Sequence, residues 1–214
     1  MTAEKRNFPR IVVTGGIASG KSAVCEILAS EGFRIVNADR VAEFVMTRPD
    51  IASQLVERFG NDIIKGDGII DKETRRRILL DHVERHALNS IVIPAAMETV
   101  LDMIRKGGRM TVAEVPMLFD SHYECRFDVV ICVYADRDTQ IRRLTGRHPE
   151  RDADEIAKRV DIQMPNADIA KYSHVLFRNN DGDGDLAEKA QRLAAYLQGF
   201  NDAYVVGEAN QWTV

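Results

Sequence analysis

Gly15-Gly16-Ile17-Ala18-Ser19-Gly20-Lys21-Ser22 reads as a glycine, four residues, then Gly-Lys-Ser, the spacing of a phosphate-binding loop. Each residue type has a chemical reason. Phosphate oxygens are met by several backbone N–H groups converging from one turn, and glycines let the chain make that turn without a Cβ in the way. A helix opening directly after the loop adds its free first-turn N–H groups and the positive end of its dipole. Lys21 would bring a mobile positive charge to the β- and γ-phosphates, and Ser22 a hard hydroxyl oxygen suited to Mg2+. The motif predicts a nucleoside triphosphate ligand and leaves the reaction open.

Carboxylates and guanidinium groups elsewhere could complete that chemistry. Asp39 follows Ile35-Val36-Asn37-Ala38, at the carboxyl end of an expected strand, where open parallel sheets bind ligands. It would either take the proton of an attacking hydroxyl or cap a helix over residues 40–48; position alone does not separate the two. Glu114 closes another expected strand just before Pro116. It would hold the metal or its water, or pair with a nearby Lys or Arg. Arg142, Arg143 and Arg147 follow a later strand, and a spacing of four places Arg143 and Arg147 on one helical face. Such groups suit a transferring phosphoryl group or make a solvated basic face. His82, His86, His122, His148 and His174 show no ligand grouping.

These residues need elements to hold them. Arg10 to Thr14 is an apolar run stopped by Gly15-Gly16, a buried strand entering a turn. Val24, Ile27, Leu28 and Glu31 fall at helical spacing before Gly32, and Phe33 to Val36 reads as a second strand, completing a βαβ unit. From about Arg40 to Lys106 there is no strand signal. Leu55, Val56 and Phe59 line a helix before Gly60, Asp67-Gly68 marks a turn, and Asp71 would cap a helix through Arg75-Arg76-Arg77. Pro94 is expected to break or start a helix ahead of the stripe Met97, Val100, Leu101 and Ile104. Alternation resumes with strands at Met110 to Val115, Val129 to Tyr134 and His174 to Phe177. Between the last two, Asp136 would cap a helix through Leu144, and Asp152 with Glu155 resembles a capping box for a helix to about Ile162. The loop Asp181 to Gly184 precedes a final helix with Leu186, Ala190, Leu193, Ala194 and Leu197 on one face. Strands separated by helices imply an α/β fold whose parallel sheet is covered on both faces.

Composition agrees with a globular fold: 214 residues, 45% hydrophobic and 29% charged,. A net charge of −4 gives no basic footprint and argues against nucleic acid as partner. No uninterrupted apolar run reaches the roughly 20 residues of a membrane span, and Met1 to Arg10 lacks the apolar stretch of a secretory signal. Cys25, Cys125 and Cys132 follow no metal or disulfide spacing, with Cys25 and Cys132 expected in the core. The expectation is a cytoplasmic protein, a monomer or weak homo-oligomer.

The stretch Thr14 to Ser22 followed by Asn37-Ala38-Asp39, together with Glu114-Val115-Pro116-Met117-Leu118-Phe119-Asp120, resembles the dephospho-coenzyme A kinase family. Gln140 through Arg147, then Arg159 to Gln163, is similar to that family's lid, and Asn179 to an asparagine near its adenine pocket. The likeness covers roughly residues 10–198. It implies a P-loop NTPase-type kinase domain over residues 1–200, with its core near 8–40, 107–137 and 172–200. It further implies a helical acceptor-binding insertion near 41–106, a mobile helical lid near 138–171 and a tail at 201–214 carrying Trp212. The reaction implied is ATP-dependent phosphorylation of the ribose 3′-hydroxyl of dephospho-CoA. Lys21, Asp39, Arg143 and Arg147 would be the catalytic residues, and Gly15 to Ala23 with Asn179 would bind ATP. Ser22 would bind Mg2+. This chain departs from the family pattern at Ala23, Asn37, Ile93 before Pro94, and Ser173-His174. The alternatives are a related small-molecule or nucleoside kinase, or a P-loop protein that binds nucleotide without turnover.

Overall fold

The computed structural model describes residues 8–63, 71–180 and 184–206. The turn expected at Asp67-Gly68, residues 181–183 of the acidic loop and Trp212 of the tail lie outside them. Strand β1 (Ile11–Thr14) is buried along its whole length, so its sequence is continuously apolar up to Thr14 instead of alternating. It pairs in parallel with β3 (Thr111–Glu114) and β4 (Val129–Tyr134), with Ile11 opposite both Val112 and Val129. β5 (Val175–Arg178) continues the sheet beside β4, and β2 (Arg34–Asn37) lies beside β3, giving the order β2-β3-β1-β4-β5. The chain leaves β1 toward one edge and later crosses to the other. That reversal is where open α/β sheets bind ligands.

The chain forms two compact units, one from the segments up to Val36 and from Met103 onward, the other from Asn37–Asp102. The sheet's core joins Ile11, Val13, Ile131 and Val133 to Val24, Cys25 and Leu28 of helix α1 (Lys21–Ser30). Ala190, Leu193, Ala194 and Leu197 of the final helix, α9 (Leu186–Val206), complete it. The expected apolar face of α9 is thus the one buried, with Leu186 partly covered. Cys25 and Cys132 are both buried, as expected, while Cys125 is exposed. Burial pushes the Cys132 thiol up to about 12, against the pull of Lys21. The Cys25 thiol is raised first by burial and then by Glu114.

The second unit holds α2 (Ala38–Met46), α3 (Pro49–Phe59), a 3-10 turn at Asn61–Ile63, α4 (Lys72–Leu80) and most of α5 (His82–Arg105). Three expectations change here or nearby. β2 ends at Asn37, so Asp39 lies in the first turn of α2 and not at the end of a strand. Pro94 neither starts nor ends a helix: α5 runs through it. The ring sits on an exposed position, and so does Ser90, whose carbonyl loses its i+4 donor there and can turn to water,. The buried stripe Leu88, Val92, Ala96, Val100 and Ile104 continues on both sides. By length and composition α5 is apolar enough to cross a membrane, but that stripe is buried inside the protein. Finally, Asp152 precedes α7 (Ala153–Asp161) without a side-chain cap hydrogen bond, and the Glu155 side chain, the other half of the expected box, bonds Arg151 at 2.6 Å. The caps expected of Asp71 and Asp136 do form, to the N–H groups of Thr74 and Thr139.

Candidate active site

The loop between β1 and α1 is shaped by its glycines for two reasons at once. Gly15 has φ 139° and Gly20 φ 99°, left-handed conformations that a side chain resists. A Cβ on Gly15 would also overlap the Val133 carbonyl, and one on Gly20 would overlap the Asn179 amide. The glycines expected to clear space for phosphates therefore clear space for β4 and the segment after β5 as well. Gly20 caps α1 without a side-chain hydrogen bond, so nothing from the cap residue blocks the first-turn N–H groups.

Lys21 and Ser22 open α1. The Lys21 ammonium donates to the carbonyls of Gly15 and Gly16, each at 2.9 Å, and is nearly buried. It lies inside the curve of the loop. Ser22 Oγ donates to Glu114 Oε1 at 2.7 Å, which joins the end of β3 to the start of α1. This resolves one role of Glu114: it holds the loop serine. A hydroxyl bonded to a carboxylate is a hard-oxygen pair of the kind Mg2+ uses alongside substrate phosphates, so the residues present fit that ion. Among the described residues no cluster of three or more His, Cys, Asp or Glu could hold a metal by itself, and a phosphate-bound Mg2+ needs none.

The arginine helix, α6 (Arg137–Arg147), stands over the loop. Arg143 Nη2 donates to the Asn179 carbonyl at 2.9 Å, and Nη1 to the carbonyls of Ala18 and Ser19 at 3.4 Å. Asn179 Nδ2 in turn donates to the Ser19 carbonyl at 2.7 Å. Arg143 and Asn179 thus brace the second half of the loop from one side. Arg147 closes α6 one turn later and is exposed. Ala23 lies within the first turn of α1, half-buried. Ala18, with φ 56°, packs with Ile17 on Leu144 of α6 and on Ile156 and Val160 of α7.

Sequence reasoning passed over Asn166 entirely and reached Gln140 and Gln163 only through the family likeness. Asn166 Oδ1 accepts from Gly16 N–H at 2.6 Å, Gln163 Oε1 from Ile17 N–H at 2.7 Å, and Gln140 Nε2 donates to the Ile17 carbonyl at 2.7 Å. No local pattern announces a bond between residues 150 apart. On their other side lies a pocket of about 270 Å3, walled by Tyr134, Val160, Met164 and Pro165.

Asp39 belongs to the second unit, two residues beyond β2. The cap of α2 is Asn37, whose Oδ1 accepts from Arg40 N–H at 3.0 Å. The capping alternative for Asp39 therefore falls. The family departure at Asn37 keeps a capping residue, because asparagine and aspartate serve equally there. The departure at His174 is likewise accommodated: its Nδ1 accepts from Val130 N–H at 3.0 Å. That bond lies at the amino ends of β4 and β5, the edge opposite the loop.

A profile of the dephospho-CoA kinase family matches residues 10–185. The dephospho-CoA kinase of Geobacillus kaustophilus is 35% identical over 195 residues, covering 88% of this chain and 94% of that protein. That of Fusobacterium nucleatum is 30% identical over 186 residues, covering 86% and 95%. Among solved structures, TT1252 from Thermus thermophilus superposes with a TM-score of 0.71 at 26% identity, over 90% of this chain and 98% of that one. With the phosphate loop, its bracing arginine and the Ser22–Glu114 pair in place, the chain belongs to the dephospho-CoA kinase family.

Proposed function

We propose that this protein transfers the γ-phosphoryl group of ATP to the ribose 3′-hydroxyl of dephospho-CoA, releasing coenzyme A and ADP. The observation that carries the reading is the loop itself: Lys21 held inside it and Ser22 bonded to Glu114, in a chain of this family. In the reaction the hydroxyl oxygen forms a bond to the γ-phosphorus while the bond to the β,γ-bridging oxygen breaks. The hydroxyl proton passes to Asp39, and ADP carries the leaving charge.

The loop N–H groups and the start of α1 orient the β- and γ-phosphates. Lys21 exchanges its bonds to the Gly15 and Gly16 carbonyls for the phosphate oxygens, a small movement for a flexible ammonium. Mg2+ would be held by Ser22, with Glu114 fixing the serine or a metal-bound water, and would neutralise charge shared by the two phosphates. Arg143 holds the loop backbone, and Arg147, one turn on, supplies charge to the transferring group. Residues 138–171 serve as the lid that excludes water, and residues 41–106 as the acceptor-binding region. Asn179, fixed to Ser19, borders the adenine side.

The test is ADP release from Mg-ATP with and without dephospho-CoA, with product mass as the second readout. Turnover that depends on dephospho-CoA and yields coenzyme A is expected, and Lys21→Ala should lose it. Acceptor-independent ADP release, or full activity in Lys21→Ala, would refute the reading.

A further inference from the structure

The first half of the loop is held by side-chain amides. Asn166 is buried and bridges two backbone segments: its Oδ1 accepts from Gly16 N–H, and its Nδ2 donates to the Ala135 carbonyl at 2.7 Å, just past β4. Gln163 and Gln140 take both polar groups of Ile17. Three amides, from the start of α6, the segment after α7 and the first residue of α8 (Asn166–Lys171), thus fix the Gly16-Ile17 stretch. They press so closely that a Cβ on Gly16 would lie 2.5 Å from Gln140 Nε2 and 2.7 Å from Asn166 Oδ1.

Left to itself, a glycine pair at the end of a strand samples many conformations, and ordering it on ligand binding costs affinity. Each amide bond that orders it beforehand removes part of that cost. We infer that Asn166, seconded by Gln163 and Gln140, is a positioning residue that presets the phosphate loop for nucleotide, so that ATP affinity is governed partly from the foot of the lid. Asn166 touches no reacting atom; it acts through Gly16. The inference rests on the reading of this loop as the ATP site.

Two measurements on the full chain separate the two ideas. The first is amide hydrogen exchange at Gly16 and Ile17 without nucleotide. Asn166→Ala should speed exchange at Gly16 and Gln163→Ala at Ile17, each about tenfold, the upper range for one lost hydrogen bond. The second is the Kd for Mg-ATP by calorimetry, which should rise about tenfold in Asn166→Ala, with kcat changed less than KM for ATP. Ile169→Ala is the control: Ile169 is a core residue of α8 that makes none of these loop bonds. It should lower Tm yet leave Kd within about twofold. If Kd follows loss of Tm alike in all three variants, or if exchange at Gly16 and Ile17 does not change, the inference is overturned. Gln163 is only half-buried, so its variant decides the matter should Asn166→Ala not fold. Should the wild type bind ATP yet leave dephospho-CoA unphosphorylated, the proposed function fails while the clamp is still judged by exchange and Kd.

Discussion

Asn37 and Asp39, two residues apart, offer α2 two candidate caps, and only the carboxylate could also take a proton. Asn37 caps α2 through Arg40 N–H, leaving the Asp39 carboxylate out of that bond and in the first turn of the helix. A carboxylate there gains about 0.3–1 kcal/mol from the helix dipole, well short of what a general base supplies to a transfer step. Asp39→Asn should therefore lower kcat by about 100-fold or more, the usual scale for a lost general base. KM for ATP should change little. Asn37→Ala should do the reverse, costing about 1 kcal/mol of stability with kcat nearly kept. Chemical denaturation and steady-state kinetics on the two variants check both. A fall in Tm without a fall in kcat for Asp39→Asn would remove it from the chemistry.

Helix α5 carries Pro94 in its interior on an exposed face. Proline in such a place costs up to about 3 kcal/mol relative to alanine, and the helix survives because its other face is buried from Leu88 to Ile104. Packing outweighs local propensity. Pro94→Ala should stabilise the protein by about 1–3 kcal/mol. That corresponds to roughly 2–4 °C in Tm per kcal/mol for a chain of this size. An unchanged or lower Tm on thermal scanning would mean that the proline is held by a contact favouring it.

For the molecule as a whole, the sheet sets which groups are reachable. Cys25 and Cys132 lie in the core beneath the loop, with thiols whose pKa values burial raises, while Cys125 is exposed. The raised values leave almost no thiolate on the buried pair at pH 8, whereas Cys125 is accessible. Titration with a thiol reagent should count one fast thiol in the native protein and three after denaturation. Mg-ATP should leave the fast thiol unaffected. Two fast thiols in the native state would show that the sheet opens around α1.

The sequence by itself was enough for the phosphate loop, the order of the strands and of every helix but α8, the apolar faces of α1, α9 and the second half of α5, and the caps at Asp71 and Asp136. All of these follow from interactions between residues a few positions apart: periodicity, turn chemistry and a cap three residues from its donor. The family likeness supplied the acceptor and Asn179, and chose among the roles that position and spacing had left open for Asp39 and Arg143. Only the tertiary structure decided that Asn37 and not Asp39 caps α2, that α5 continues through Pro94, and that Glu155 prefers Arg151. It alone joined Ser22 to Glu114 and brought Asn166 to Gly16 across 150 residues of chain. A hydrogen-bonding side chain is ambiguous in sequence because it can satisfy many partners. Which partner it meets is fixed by the packing of the sheet and helices, and that depends on the whole chain at once.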